Sequence, residues 1–183
     1  MTRVSRLAEQ IRCGDFIVTA EFTPVAETET AHIRSVIDYL KDVPSAVNVS
    51  DNPFSVSMSA IAASLHLIQA GIEPVLQMVT RDRNRIALQS DIMGASSLGV
   101  GNILCLSGYH QALTDNPESA NVYDIDSTQF IGIIQKMKEN SELLNGGKIS
   151  GTFSMVTGAV ANPFLRPVEL NMLRLSQKVE AGA

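Results

Sequence analysis

The chain has 183 residues, of which 45% are hydrophobic and 18% charged, and its net charge is −5. That length supports one domain with a substantial core, and the core must be mainly aliphatic, because Trp is absent and aromatics make up only 5%. The negative balance weighs against a nucleic-acid or anionic-membrane surface, and no apolar run reaches the roughly 18 residues needed to span a bilayer.

In chain order, Met1–Gly14 reads as a short leading helix, and the β-branched run Phe16–Phe22 predicts a first strand. Ile33, Val36, Ile37 and Leu40 follow helical spacing, so a helix is predicted over about Thr30–Lys41, closed by Pro44. Ala46–Ser50 is the second strand. Phe54-Ser55-Val56-Ser57 opens the next helix, with Ile61, Leu65 and Ile68 on one face and Gly71 as its stop. Pro74–Met78 is the third strand, and Asn84 caps a helix running to Gly99. Asn102–Leu106 is the fourth strand, with Cys105 as a small core residue. Gly108–Asp126 is the longest irregular stretch, and loops of that length in a compact domain are usually functional or mobile. Ser127 is the expected N-cap of a helix that turns Phe130, Ile133, Ile134 and Met137 inward. Gly146-Gly147 then turns into a fifth strand, Ile149–Val156. Pro167 opens a last helix carrying Met172, Leu175 and Val179.

Five strand–helix repeats of this size build a parallel sheet. An open doubly wound sheet and a closed (β/α)8 barrel share the local pattern. Two features favour the barrel: no Gly-x-Gly-x-x-Gly turn follows the first strand, and polar residues follow nearly every strand instead of clustering at one switch point. Those strand-end residues are Glu21, Ser50-Asp51-Asn52, Gln77, Ser107-Gly108-Tyr109-His110 and Ala161-Asn162. Cys13 and Cys105 give neither a disulfide framework nor a metal-ligand spacing, so no metal is expected. The start, Met1-Thr-Arg-Val-Ser-Arg, lacks the apolar stretch of a signal peptide, and a reducing cytoplasm is the expected compartment.

Glu21 is the sharpest candidate. Its neighbours Ala20 and Phe22 are apolar, and apolar surroundings favour the protonated carboxyl that a general acid needs. The alternative is a rim carboxylate paired with Arg81 or Arg83. The run Arg81-Asp82-Arg83-Asn84-Arg85 could dock a phosphate or polyglutamate tail, or it could be a solvated loop with internal pairing. His32 and His66 fall in helical patterns and read as structural or surface residues, and His110 reads as an exposed loop residue.

Six segments in order carry a family resemblance. They are Ala20-Glu-Phe-Thr-Pro, Val47-Asn-Val-Ser-Asp-Asn-Pro, Glu73-Pro-Val-Leu-Gln-Met-Val-Thr-Arg-Asp-Arg-Asn-Arg with Ile86 to Ala95 after it, Asn102-Ile-Leu-Cys-Leu-Ser-Gly, Val122-Tyr-Asp-Ile-Asp-Ser and Lys178-Val-Glu-Ala-Gly-Ala. Together they resemble the methylenetetrahydrofolate reductase family over nearly the whole chain, and in particular its short bacterial and archaeal members without a regulatory domain. The resemblance implies a (β/α)8 barrel holding FAD. It also implies reduction of 5,10-methylenetetrahydrofolate, with NAD(P)H or a partner redox protein as electron donor. The family barrel has eight units and this chain supplies about five. The expectation is therefore a fragment of a longer gene product, or a remainder supplied by a second chain. A homo-oligomer would cover the exposed edges.

The resemblance also assigns roles. Glu21 would protonate N10 of the folate. Ser50 and Gln77 would touch the flavin, although Ser50 also suits a turn and Gln77 a filler of the barrel mouth. Ser107, Gly108 and Tyr109 match the flavin-facing end of the fourth strand, where Gly108 would let backbone approach the ring. Tyr109 is a departure, because the family carries an aspartate there and a phenol cannot supply its negative field. Tyr123 and Asp126 match the adenine and ribose side of FAD, although Asp126-Ser127 also reads as a helix start. Asn162, Arg166, Asn171, Arg174 and Lys178 match contacts to the ribityl and diphosphate. Arg174 and Lys178 are equally i,i+4 neighbours on what would be a solvated face. Two competing readings are a non-catalytic or divergent flavin- or folate-binding subunit, and a pterin methyltransferase-like barrel that carries no flavin.

Overall fold

The computed structural model describes residues 5–183. Five strands, β1 (Thr19–Phe22), β2 (Ala46–Val49), β3 (Pro74–Val79), β4 (Asn102–Leu106) and β5 (Val156–Ala159), form one sheet in the order β1-β2-β3-β4-β5, with every pair parallel. That strictly sequential order decides between the two candidate architectures. Right-handed crossovers between successive neighbours place all the connecting helices on one face of the sheet. A doubly wound sheet instead reverses its order and takes helices on both faces. The chain is thus an arc of five βα units, as in a (β/α) barrel. The helices are α1 (Arg6–Cys13), α2 (Ala31–Leu40), α3 (Ala60–Gln69), α4 (Arg85–Ser97), α5 (Ser127–Asn140) and α6 (Val168–Glu180).

Strand alternation sorts the two faces. Phe22, Val49, Leu76 and Ile103 are register partners across four strands, and all four are buried in the layer between sheet and helices. Leu67, Leu88, Ile92, Phe130, Ile134 and Met137 meet them from the helices. The opposite, concave face carries Glu21 paired in register with Asn48, and Gln77 paired with Leu104. These four side chains are exposed or half-buried.

The beginnings of the strands sit on a closed polar cluster. Glu73 Oε1 accepts from the Leu7 N–H (3.1 Å) and the Asn102 amide (2.8 Å), and its Oε2 accepts from the Arg6 N–H (3.0 Å). The Ser5 hydroxyl lies 2.9 Å from Glu73 Oε1 and caps α1 by accepting from the Ala8 N–H. Burial alone would raise the Glu73 pKa, but the hydrogen bonds from Asn102, Leu7, Ser5 and Arg6 outweigh it and hold the carboxyl below its usual value.

Several boundaries differ from expectation, each for a local reason. The leading helix is α1; the first four residues assigned to it lie outside the described residues. β1 starts at Thr19 and Phe16 is exposed, because the donor that would extend the ladder, the Val43 N–H, instead closes the end of α2 on Leu40 O. α3 starts at Ala60 instead of Phe54, because Asn52 Oδ1 accepts from both the Ser57 N–H and hydroxyl and folds that stretch into a turn. The cap of α5 is Asp126 in a capping box with Gln129, and Ser127 is the first helical residue. β5 occupies Val156–Ala159, because Ile149 turns back onto Ser141 beside a Glu142–Lys148 bridge before the chain rejoins the sheet at Asn102. Met172, Leu175 and Val179 of α6 stay exposed, and α6 buries no residue.

Candidate active site

The C-terminal ends of the strands open into a cleft of about 770 Å³. Its floor is Val79, Leu104 and Leu106, and Glu21, Ser50 and Gln77 project from β1, β2 and β3. Each reaches the cleft for the same reason: it stands on the concave side of the strand alternation. Glu21 Oε1 accepts from the Ser50 hydroxyl at 2.8 Å, and that hydroxyl accepts from Thr23 Oγ1 at 3.3 Å. One carboxylate oxygen is therefore held in place, and the other accepts no hydrogen bond among the described residues. Glu21 is exposed, and its apolar neighbours do not surround it. Phe22 packs into the core on the opposite face, as successive strand residues must. The Gln77 amide makes no side-chain hydrogen bond among the described residues, which leaves its donors and acceptor available to the cleft.

Behind this row lies a second, buried layer. Asp51 is 3% exposed and accepts from the Val79 N–H (3.0 Å) and from Arg83 Nη1 (2.6 Å). Arg83 also bonds Asp91 on α4. Arg81, 2% exposed, spends Nε and Nη2 on Asp82, with Nη2 reaching Asn52 O (2.7 Å) and Nη1 reaching Tyr109 O (3.1 Å). Within the charge run only Arg81 and Asp82 pair with each other, and the run is far from solvated: Arg81 and Arg83 tie the strand-end loops together. Only Arg85, paired with Asp124 at 2.7 Å, lies at the surface; that pairing holds the Asp124 carboxyl down at about 2. Glu21 thus takes neither arginine.

The methylenetetrahydrofolate reductase family profile matches residues 6–183. The chain belongs to that family. No match is found among curated proteins. Family membership makes it an oxidoreductase-type protein of folate and one-carbon metabolism, built on the barrel whose arc is described above. No helix among the described residues is long and apolar enough to cross a membrane.

The expected site residues divide into two groups. Glu21, Ser50, Gln77, Ser107, Gly108, Tyr109 and Lys178 all line the one cleft. The Ser107 hydroxyl is engaged at its edge, accepting from the Ser127 N–H at the start of α5. Gly108 has φ +86°, and a Cβ there would come within 3.1 Å of Arg81 Cβ and 3.2 Å of Val79 Cβ. Packing of β4 against β3 therefore requires this glycine, whatever the cleft holds. Lys178 enters from α6, where Nζ donates to Val160 O at 2.6 Å.

The remaining expected residues stand outside the cleft lining. Tyr123 donates its hydroxyl to Gly108 O, and Asp126 caps α5. Asn162 accepts from the Phe164 N–H, and Asn171 donates to Leu165 O. Arg166 and Arg174 are exposed. Cys105 is buried in the core, and burial pushes its thiol pKa up. The His110 ring accepts from the Ala112 N–H and supports the exposed turn after β4.

The residues present fit a flavin ring. The cleft offers an apolar floor and an uncommitted amide at Gln77, and Lys178 can meet an anionic tail. Sequence reasoning missed Asn48, Thr23 and Phe54. Asn48 and Thr23 stand two residues before Ser50 and two after Glu21, so strand alternation was the signal that could have found them. Phe54 was lost to a helix assignment.

Proposed function

We propose that this protein catalyses flavin-dependent reduction of 5,10-methylenetetrahydrofolate to 5-methyltetrahydrofolate, with NAD(P)H or a partner redox protein as electron donor. The observation that carries the reading is Glu21, at the end of β1, sharing one cleft with Gln77 and Lys178 in a chain matched by the family over residues 6–183. Reduced FAD, when bound, supplies the hydride that the substrate's exocyclic methylene accepts. Glu21 delivers the proton: transfer to N10 breaks the bond between N10 and the methylene, and N5 then carries the methylene as an iminium. Ser50 fixes Glu21 Oε1 by donation, and Thr23 fixes Ser50, so Oε2 is the oxygen through which Glu21 would hand its proton to the substrate. Gln77 offers amide donors and an acceptor to the ring edge, and Lys178 offers a cation to the diphosphate. Arg166, Asn171, Arg174, Tyr123, Asp126 and Asn162 would serve the outer part of the cofactor only if α6 and the loops carrying the others moved inward. The working compartment in this reading is the cytoplasm, with folate as substrate and a homo-oligomer or a redox subunit as partner.

Glu21→Gln tests the reading. Flavin binding, followed by absorbance titration, is expected to survive, while oxidation of the reduced flavin by the folate substrate under anaerobic conditions is lost. Unchanged turnover in that variant removes Glu21 from the chemistry. Tyr109, where the family carries aspartate, favours a second reading, a flavin-retaining subunit without folate reductase activity. Flavin retention with no folate-dependent oxidation in the unmodified protein would select it. Purified protein without flavin absorbance that also fails to take up added flavin would favour the methyltransferase-like alternative.

A further inference from the structure

Phe54 and Tyr109 come from the loops after β2 and β4, and their rings stack with centroids 5.2 Å apart and planes 12° from parallel. Both line the cleft, yet they are 54% and 56% exposed. The backbone beneath them is fixed. Buried Arg81 bonds Asn52 O and Tyr109 O, one carbonyl on each loop. Phe54 O accepts from the Asp115 N–H at 2.9 Å. Gly108, next to Tyr109, is wedged on β3 and held by the Tyr123 hydroxyl. Two apolar rings are thus held in water by loops that cannot fold them away, and exposed aromatic area of this kind is costly. Their mutual contact uses one face of each ring and leaves the outer faces open. The Tyr109 hydroxyl makes no hydrogen bond among the described residues.

We infer that Phe54 and Tyr109 form a platform on which a pteridine-type ring stacks, the ring system common to the folate substrate and, benzo-fused, to the flavin. The inference rests on the function proposed above. The flat ring of an oxidised flavin, or the flat pyrimidine half of the folate's pterin, laid over the phenol completes a three-ring stack and removes the exposed area from water. It also gives Tyr109 a role that a carboxylate at this position could not perform: recognition by ring contact in place of charge.

The test uses two fluorescent probes, riboflavin (the flavin ring without phosphate) and pterin-6-carboxylate, each titrated into flavin-free protein. Tyr109→Leu is expected to raise the Kd for the stacking ring about three- to tenfold, and Tyr109→Phe to stay within about twofold. Phe54→Leu is expected to weaken the same probe, and to add little once Tyr109 is already Leu. Loss confined to riboflavin places the flavin on the platform; loss confined to pterin-6-carboxylate places the folate there. Wild-type affinity for both probes in Tyr109→Leu overturns the platform, as does an equal loss in the Phe and Leu variants. Protein that binds FAD but whose affinity for both probes ignores substitutions at Tyr109 and Phe54 sinks the platform alone. Wild-type protein that binds neither FAD nor folate sinks the proposed function with it.

Discussion

The two ends of the parallel sheet each hold a buried carboxylate, and they use it differently. At the beginnings of the strands, Glu73 is surrounded by donors from Ser5, Arg6, Leu7 and Asn102, and little of it faces solvent. At the strand ends, Asp51 is equally satisfied by Val79 and Arg83, but its work is to back a row of side chains that are not satisfied. Glu21 keeps one oxygen uncommitted and Gln77 keeps its amide open. A closed network can only add rigidity and register, whereas a network with open valences in front of a closed layer can do chemistry on what enters. The barrel rule that function gathers at the C-terminal strand ends takes this form here.

The comparison can be broken at either end, and the expected effects fall in order. The largest is at the open row, where Glu21→Gln should lower folate-dependent flavin oxidation by about 10²–10⁴-fold, the span of a lost general acid, with the urea midpoint unmoved. The next is in the layer behind it. Asp51→Ala strips a buried partner from Arg83 and the Val79 N–H, and should cost about 3 kcal/mol in urea unfolding. A loss near zero would show that the second layer is decoration. Glu73→Gln at the closed end should cost about 1–3 kcal/mol and leave flavin binding intact.

The same residue predicts a pH signature. The Glu73 pKa is lowered on folding, so its contribution is fully present above its ordinary value of 4.5 and is lost as the pH falls through the lowered folded value. Wild-type stability should therefore fall more steeply below pH 4.5 than that of Glu73→Gln; parallel acid limbs would contradict this. The smallest effect is at the surface. Asp124→Asn removes the exposed partner of Arg85 and should leave the unfolding midpoint unchanged.

The sequence made the central strands legible because β2, β3 and β4 are short, mainly apolar runs bounded by turns, with Asn48, Gln77 and Asn102 as their polar members. It misplaced β5 because Ile149 and Phe153 are as apolar as a strand requires. What separates them from the ladder is a backbone turn onto Ser141, which residue type does not announce. The strand-end candidates Glu21, Ser50 and Gln77 were readable from position alone. Their environment was not: flanking Ala20 and Phe22 suggested an apolar pocket, and alternation sends Phe22 to the other side. On α6 the helical pattern alone could not say which face turns toward the cleft, so Lys178 lines it and Arg174 does not. The burial of Arg83 was not legible because its partners Asp51 and Asp91 lie on other elements, and only the fold brings them close.

The Glu73 cluster also limits how the amino-terminal region tolerates editing. The donors from Ser5, Arg6 and Leu7 come from the first residues of the described chain and seat α1 under the arc. Trimming through Leu7 would leave the buried Glu73 carboxylate with Asn102 as its one remaining donor among these four. Insertions or cleavage within Ser5–Leu7 would break the same contacts and unseat that plug.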